Sequence, residues 1–533
     1  MKKMTKRNLA IALAAGAMLT QMAGTASITY AEEAADKSVL VVGTSLDFQG
    51  LSVLTSVGGA GGKQWKEAVY PRLATREVTA GDAIPVMMES IEHQEGLVYR
   101  IKIYDDIYDS DGNHITADDV AFCYNYAKEN GVSQTYNYIG MTVVDDYTVD
   151  LEMATDAIGV LDDTIAYVEI VDQEAFEADG TNFATRSCGC GAYKITDFVD
   201  GSYYTLEKVE NWWGYNHEMP EDLTPNVDKI VFQYVAEASQ LAIALESGTV
   251  DMAIGLTGTE TDRFLTEDGQ ALEGFSEAHY LSSLYQIMML NMDYESVFYD
   301  NQELREAILY AIDKDALVIA ALNQKGEKCY TLGSENFGDF QDQWKEENYF
   351  DYDIEKAQEL LNASGFDTSQ TLRIMLDTNE IRIKEAQLIS AYLGQIGIKT
   401  EILSYDTALF DDYKLDASQW DIMLDNFYSP DYLVSGWSHV FYYENYKNGS
   451  ANHLHDDALI EMIVEANTPE GHTDENVNAL HEYIRDTASA VGLIDSYNYI
   501  IGREGIDIYL NGYQSTPYSW VCGLSDDFVS VGK

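Results

Sequence analysis

The sequence predicts a multi-domain α/β protein, and three observations predict it. Short apolar or alternating stretches of strand length recur from end to end, and segments of helical periodicity take turns with them. Turn and cap signals mark the junctions. The 533 residues are enough for two or three domains with ample cores. No internal repeat or low-complexity tract breaks the order.

The first segment reads as a targeting signal and is set aside from the fold. Lys2, Lys3, Lys6 and Arg7 form a charged start, residues 9–23 an apolar run, and Thr29-Tyr30-Ala31 offers small residues at the two positions a signal peptidase reads. The run is shorter than the roughly 20 residues a membrane span needs. A signal peptide over 1–31, cleaved after Ala31, and export of the remainder are the expectation. The stretch LTQMAGTAS at 19–27 holds no cysteine, so no lipid anchor is expected.

After it, 37–44 (KSVLVVGT) is a short apolar strand. In 97–103, Leu97, Tyr99, Ile101 and Ile103 face one way while Val98, Arg100 and Lys102 face the other. The turn residues Ser110-Asp111-Gly112-Asn113 lead to a capping-box start at Thr116 and Asp119. The helix that follows carries Val120, Tyr124 and Ala127 on one face and stops at Gly131. A strand over 227–235, a helix with Leu241, Ala244 and Leu245 inward that ends at Gly248, and a strand over 250–254 come next. In 301–322, Leu304, Ala307, Ile308, Ala311 and Ile312 make one apolar helical face, and Asp313 caps a second helix beginning Lys314-Asp315-Ala316. Helices are predicted over 354–362 and 384–395, strands over 397–403, 506–510 and 520–522.

Composition narrows the function. Lys and Arg number 32 against 90 Asp and Glu, a net charge of -58. That balance excludes a nucleic-acid partner, whose phosphates demand basic residues. It also disfavours anionic membrane surfaces. It is read as a solvated, self-repelling surface with a mild attraction for cationic solutes. The five cysteines, Cys123, Cys188, Cys190, Cys329 and Cys522, do not make a disulfide framework, and their odd number leaves at least one thiol free or intermolecular. No nucleophile elbow or metallohydrolase helix is present. No cofactor is implied. The 38 tyrosines suit a polar sugar or peptide pocket.

Several phrases, in order, resemble the peptide- and nickel-type extracellular substrate-binding proteins that feed ABC importers (solute-binding protein family 5). LREAILYAIDKDALV at 304–318 is similar to that family's signature. VYPRL at 69–73, GLVYRIKIYDDIYDSDGNHITADDVAFCYNYA at 96–127, ESGTVD at 246–251, the helix of 354–365 and the Leu393-to-Lys399 step resemble further family phrases. Cys190-Gly191-Ala192-Tyr193-Lys194 stands where the family usually has a G-T-G-P-Y turn, and the cysteine and missing proline are departures.

The resemblance implies a two-lobe periplasmic-binding-protein fold of type II, with an extra inserted domain and a ligand cleft at the hinge. Carried onto this chain, lobe I comprises 36–81, 187–282 and 501–533, the inserted domain 82–186, and lobe II 283–500, with crossings near 283 and 500. It implies no enzyme, but a receptor that closes on an oligopeptide or dipeptide and delivers it to a membrane-embedded ABC permease. Periplasmic or outer-face location and a monomer are expected. The same fold binding an oligosaccharide or nickel is the first alternative, and a secreted hydrolase is the alternative from another class.

The segment WDIMLDNFYSPDYLVSGW at 420–437 matches the family stretch that holds a peptide's amino terminus. Asp431 is the first candidate for that ammonium and Asp425 the second, since a buried ammonium requires a carboxylate partner. A solvated loop acid is the alternative for either. Trp420, Phe427, Tyr428 and Trp437 are candidate pocket walls, with core packing the alternative. Arg382 and Lys384 are candidates for a ligand carboxylate, or a surface basic pair.

Three other patterns fail as sites. Gly58 to Lys63 resembles a phosphate loop, but Val57 stands at its first glycine and Gln64 replaces the hydroxyl. Asp109-Ser110-Asp111-Gly112 with Asp118 is similar to a calcium loop, but Ile107 stands at the first ligand position. It is read as a turn. His453-Leu454-His455-Asp456 could bind a transition metal, with loop histidines the alternative.

Overall fold

The computed structural model describes residues 38–530 apart from 49, 56–59, 77–82, 133–134, 220–223, 268, 283, 336, 348, 429–436, 438–439, 442–449, 511, 514–515, 518–521 and 526–527. In chain order, β1 (Val39–Thr44) is followed by the short pair β2 (Ala74–Thr75) and β3 (Ile84–Pro85). Next come β4 (Met88–His93), β5 (Val98–Ile103), β6 (Tyr138–Asp145) and β7 (Thr148–Met153), which form an antiparallel sheet in the order β4-β5-β7-β6. The chain continues through β8 (Tyr193–Val199), β9 (Tyr203–Lys208), β10 (Lys229–Tyr234), β11 (Met252–Ile254) and β12 (Phe275–Leu281), then β13 (Leu284–Leu290) and β14 (Gly326–Lys328). It ends with β15 (Thr371–Leu376), β16 (Lys399–Ser404), β17 (Ile422–Tyr428), β18 (Ala490–Gly492) and β19 (Ile494–Arg503), followed by short C-terminal pairs.

Two mixed sheets organise these strands. The first runs β12-β19-β11-β1-β10-β9-β8, with β14 added to β19, and the second runs β16-β15-β17-β13-β18. Three strands of the first sheet, β10, β1 and β11, are parallel. Their sequences are apolar on both sides because both faces are covered. Leu40, Val42, Ile230 and Phe232 join one core, while Val41 and Val231 join another under the helix Ala238–Glu246. The antiparallel sheet β4-β5-β7-β6 packs into the former core through Ile101, Ile103, Val149 and Leu151.

The second sheet builds a separate core with the helices Gln302–Tyr310, Lys314–Leu322 and Glu380–Gln395. Leu304, Ala307, Ile308, Ala311 and Ile312 are all buried there, as their spacing requires. Each such apolar side chain contributes about 1.5–3 kcal/mol when fully buried. Asp313 caps the second helix by accepting from Ala316 N–H at 3.0 Å. At the helix Ala117–Glu129, the Thr116 N–H donates to Asp119 Oδ2 at 2.8 Å.

Most elements fall where the sequence puts them, with shifted ends. The helix expected from 384 starts at Glu380, because Asn379 Oδ1 accepts from Ile381 N–H at 2.9 Å and caps an earlier turn. Of the last expected strand, over 520–522, positions 520 and 521 lie outside the described residues, and Cys522 begins the strand Cys522–Leu524, in register with Ile506–Ile508. All five cysteines are buried and unbridged.

Apart from an excursion through β14, the chain passes between the two sheets twice. It leaves the first at Leu281 and enters the second at Leu284. It returns at Leu493, between Gly492 of β18 and Ile494 of β19. This second passage lies earlier in the chain than position 500, because Ile494 to Tyr499 already belong to β19 and extend the first sheet.

Candidate functional site

Strand direction locates the site. In the second sheet β15, β16 and β17 run parallel, and β13 runs against them with Leu284 opposite Tyr428. Both chain passages therefore leave this sheet at the carboxyl ends of β15 to β17. In the first sheet, β12 and β19 extend past Ile254, the carboxyl end of β11. The passages thus join the carboxyl edges of two α/β sheets, and the crevice outside such edges is where α/β folds hold ligands.

Arg382 stands at the second sheet's edge, in the first turn of its helix. Its Nε and Nη2 donate to Asp377 Oδ1 and Oδ2 at 2.8 and 2.6 Å. Its Nη1 donates to Gln286 Oε1 at 3.1 Å and Asn426 Oδ1 at 2.9 Å. Gln286 and Asn426 are cross-strand partners on β13 and β17, so one guanidinium ties the helix start to both strand ends. Burial alone would raise the Asp377 carboxyl, but the hydrogen bonds and charge of Arg382, together with the Asn379 N–H, outweigh it and hold it below its ordinary range.

Asp425 lies one residue before Asn426 and so faces the other side of the sheet. Its carboxylate is 3.7 Å from Lys414 Nζ, which also pairs with Asp411 at 2.7 Å. Burial pushes the Asp425 carboxyl up from its ordinary range, and Lys414 partly offsets this. Phe427 is buried on the Asp425 side, opposite Tyr285. Tyr428 ends β17 at the edge. Asp431 lies outside the described residues.

Three sequence candidates sit away from this edge. Trp420 and Trp437 are fully buried in the second core. Trp420 packs 5.6 Å from His453, and Trp437 lies 6.4 Å from Trp344. Both rings therefore fill core volume, the alternative already open for them. Lys384 is exposed while Arg382 is buried, because positions two apart on a helix point to nearly opposite sides. The two do not form a basic pair.

On the first sheet's edge the turns after β1 and β11 lock together. Ser45 N–H donates to Ile254 O at 3.2 Å and Ser45 Oγ to Gly255 O at 2.6 Å. Gly255 has φ +84, and a Cβ there would collide with Ser45 Oγ. Phe48 packs 4.6 Å from Tyr204 beneath this turn.

The acid-rich loop after β5 is a turn. Asp109 Oδ1 accepts from the N–H groups of Asp111 and Asn113 at 2.9 and 2.8 Å, and Asp111 pairs with Arg186 at 2.8 Å. His453 and His455 diverge: the first packs on Trp420, the second stacks on Tyr294 at 5.7 Å. Among the described residues no three metal-ligating side chains converge. Helix Ala60–Val69 begins inside the Gly58 to Lys63 stretch, whose first residues lie outside the described ones.

Sequence reasoning did not find Asp377, Gln286 and Asn426 around Arg382. Asp377-Thr378-Asn379 carries a turn-and-cap signal that would have placed the helix start, and with it Asp377, beside Arg382. Gln286 and Asn426 meet only through strand pairing, which no local pattern encodes.

The family model for bacterial extracellular solute-binding proteins, family 5 Middle, matches residues 69–446. Heme-binding protein A of Haemophilus influenzae is 24% identical over 423 residues, 73% of this chain and 72% of that protein. Oligopeptide-binding protein AppA of Bacillus subtilis is 24% identical over 390 residues, 66% of this chain and 65% of that protein. The crystal structure of the ABC transporter substrate binding protein CtaP from Listeria monocytogenes matches with a TM-score of 0.75 at 20% identity, covering 91% of this chain and 100% of that one.

Proposed function

The chain belongs to the bacterial extracellular solute-binding proteins, family 5, and from that membership we propose that it captures a peptide by lobe closure and delivers it to the permease of an ABC importer. Proteins of this family are the binding components of such importers and not enzymes. They work outside the cytoplasmic membrane, and among the described residues no helix is long and apolar enough to cross one. The proposed lobes are 36–81, 187–282 and, in place of 501–533, 494–533 for the first, with 82–186 inserted, and 283–493 in place of 283–500 for the second, because 494–500 belong to β19 of the first sheet.

The observation that carries the reading is the pair of carboxyl edges joined by two chain passages. Such an arrangement lets ligand contacts be made from both sheets only when the lobes close, so binding shifts the population toward the closed form. A permease that reads the closed form then receives only loaded protein. In this proposal Asp425 or Asp431 accepts the peptide's ammonium, and Phe427 and Tyr428 flank its side chains. Arg382 holds the edge in shape, and a ligand carboxylate must share its guanidinium with Asp377. The peptide ligand is supported by the likeness to an oligopeptide-binding relative. A monomer suffices, because closure lies within one chain.

Native mass spectrometry of the exported protein, followed by denaturing analysis of what it releases, tests this. Intact peptides are expected, and their lengths separate dipeptide from oligopeptide capture. A released haem, sugar or metal would overturn the peptide while leaving the transport role.

A further inference from the structure

The second passage does not cross alone. After the helix Lys314–Leu322, which packs in the second core, the chain reaches over and adds β14 to the first sheet. Gly326, Glu327 and Lys328 pair antiparallel with Ser496, Asp495 and Ile494 of β19. Lys325 pairs with Asp262, in the loop after β11, and Tyr497 OH donates to Glu327. This end of the arm is fixed to the first sheet.

Its other end is fixed to the second. Lys314 Nζ donates to Cys329 O at 2.9 Å, and Tyr349 N–H donates to Tyr330 O at 3.1 Å. Gly492 N–H, at the end of β18, donates to Thr331 O at 3.2 Å. Between these attachments Cys329 N–H donates to Leu493 O at 3.0 Å, on the crossing residue itself. The Ser334 hydroxyl then donates to Asp495 Oδ2 on the far side. The approach is too close for side chains at two points. A Cβ on Gly492 would lie 2.6 Å from Leu332 O and 2.8 Å from Thr331 O, and one on Gly326 would collide with Asp495 O.

We infer that residues 325–334 are a hinge brace: an arm of the second lobe, bonded to both sides of Leu493, that makes this crossing the stiff pivot of closure and limits how far the lobes open. This rests on the two-lobe closure proposed above. Rotation about Leu493 alone would break the bonds from Cys329, to Thr331 and from Ser334 together, so motion must carry the arm along. Asp495 is 2% exposed, its Oδ1 has no hydrogen-bond partner, and its Oδ2 has Ser334. Cutting the Ser334 bond leaves this buried carboxyl with only the Ser496 backbone N–H to satisfy it and loosens the crossing where it is gripped.

Hydrogen exchange and small-angle scattering on the ligand-free exported protein test this, with the variants Ser334→Ala and Lys325→Met. The expected result is exchange about 10-fold faster at Cys329, Gly492 and Leu493, with β4 to β7 unchanged. Scattering should show a larger radius of gyration than the parent. Unchanged exchange at Gly492 and Leu493, or faster exchange there with the parent's radius, overturns the brace. Faster exchange in β4 to β7 as well means general destabilisation and also overturns it. These readings use no ligand, so a failure to bind peptide would remove the peptide proposal and leave them standing.

Discussion

Arg382 and Asp377 hold each other through two parallel hydrogen bonds, 2.8 and 2.6 Å, at the edge where the chain passes between sheets. The guanidinium is 7% exposed and the carboxylate 15%. Removing one partner of such a pair leaves a buried charge uncompensated. Arg382→Gln is expected to destabilise the protein by about 3 kcal/mol in denaturant unfolding. Arg382→Lys should recover little, because an ammonium cannot reproduce the fork and reach Gln286 and Asn426 together. Full recovery by lysine would mean that only charge matters here.

The same engagement bears on ligand charge. Arg382 is bonded to Asp377, and Lys414 is shared between Asp411 and Asp425. An anionic ligand group must compete with these carboxylates. Within a matched set of peptides, a lysine-containing one is expected to bind about 10-fold tighter than its glutamate counterpart at low salt, with the gap narrowing as salt screens it. Calorimetric titration at two ionic strengths checks this, and equal affinities would refute it.

Two buried acids give the stability a pH slope. Burial raises the Glu385 carboxyl to about 8, against a smaller lowering by Arg382, and raises Asp495 to about 8. Their folded-state values exceed their unfolded ones, so their contribution is whole below the ordinary carboxylate range. It is lost as pH rises toward about 8. Glu385→Gln, which keeps the shape of the protonated acid, is expected to flatten the fall in melting temperature between roughly pH 5 and 8. An unchanged slope would show that Glu385 does not titrate there.

His481 works at the other end. It stacks on Trp344 at 4.4 Å with both ring nitrogens lacking hydrogen-bond partners, and burial, aided by Arg485, lowers it to about 3. Its contribution is whole above the ordinary imidazole range and is lost as pH falls toward about 3. His481→Phe should weaken the acid-side loss of stability, read as melting temperature against pH. An acid limb as steep as the parent's would assign that loss to other groups.

Asp313 offers a simpler measurement. Asp313→Ala removes the acceptor for Ala316 N–H and is expected to lower stability by about 1 kcal/mol. Chemical denaturation checks it, and a loss near zero would mean that the packing of Leu317 alone sets the helix start.

Local signals carried much of the fold. The Asp313 and Thr116 caps, the apolar face from Leu304 to Ile312 and the alternation of Leu97 to Ile103 each express a short-range preference, and the structure keeps all of them. The site was legible only in part. Arg382 stands at the edge where the chain crosses and Asp425 on a strand that leads to it, but Trp420 and Trp437 went to the core, since a large ring serves a pocket or an interior equally well. Gln286, Asn426 and the arm at 325–334 depend on strand pairing between residues far apart in sequence, which leaves no periodic trace in either partner.

The buried thiols have a practical consequence. Cys329 lies in the second core, while Cys123, Cys188, Cys190 and Cys522 lie in the first. An alkylating reagent in water reaches none of them until the surrounding core opens. Timed alkylation read by peptide mapping would therefore record the two cores separately, each through its own sulfur atoms, with no introduced label.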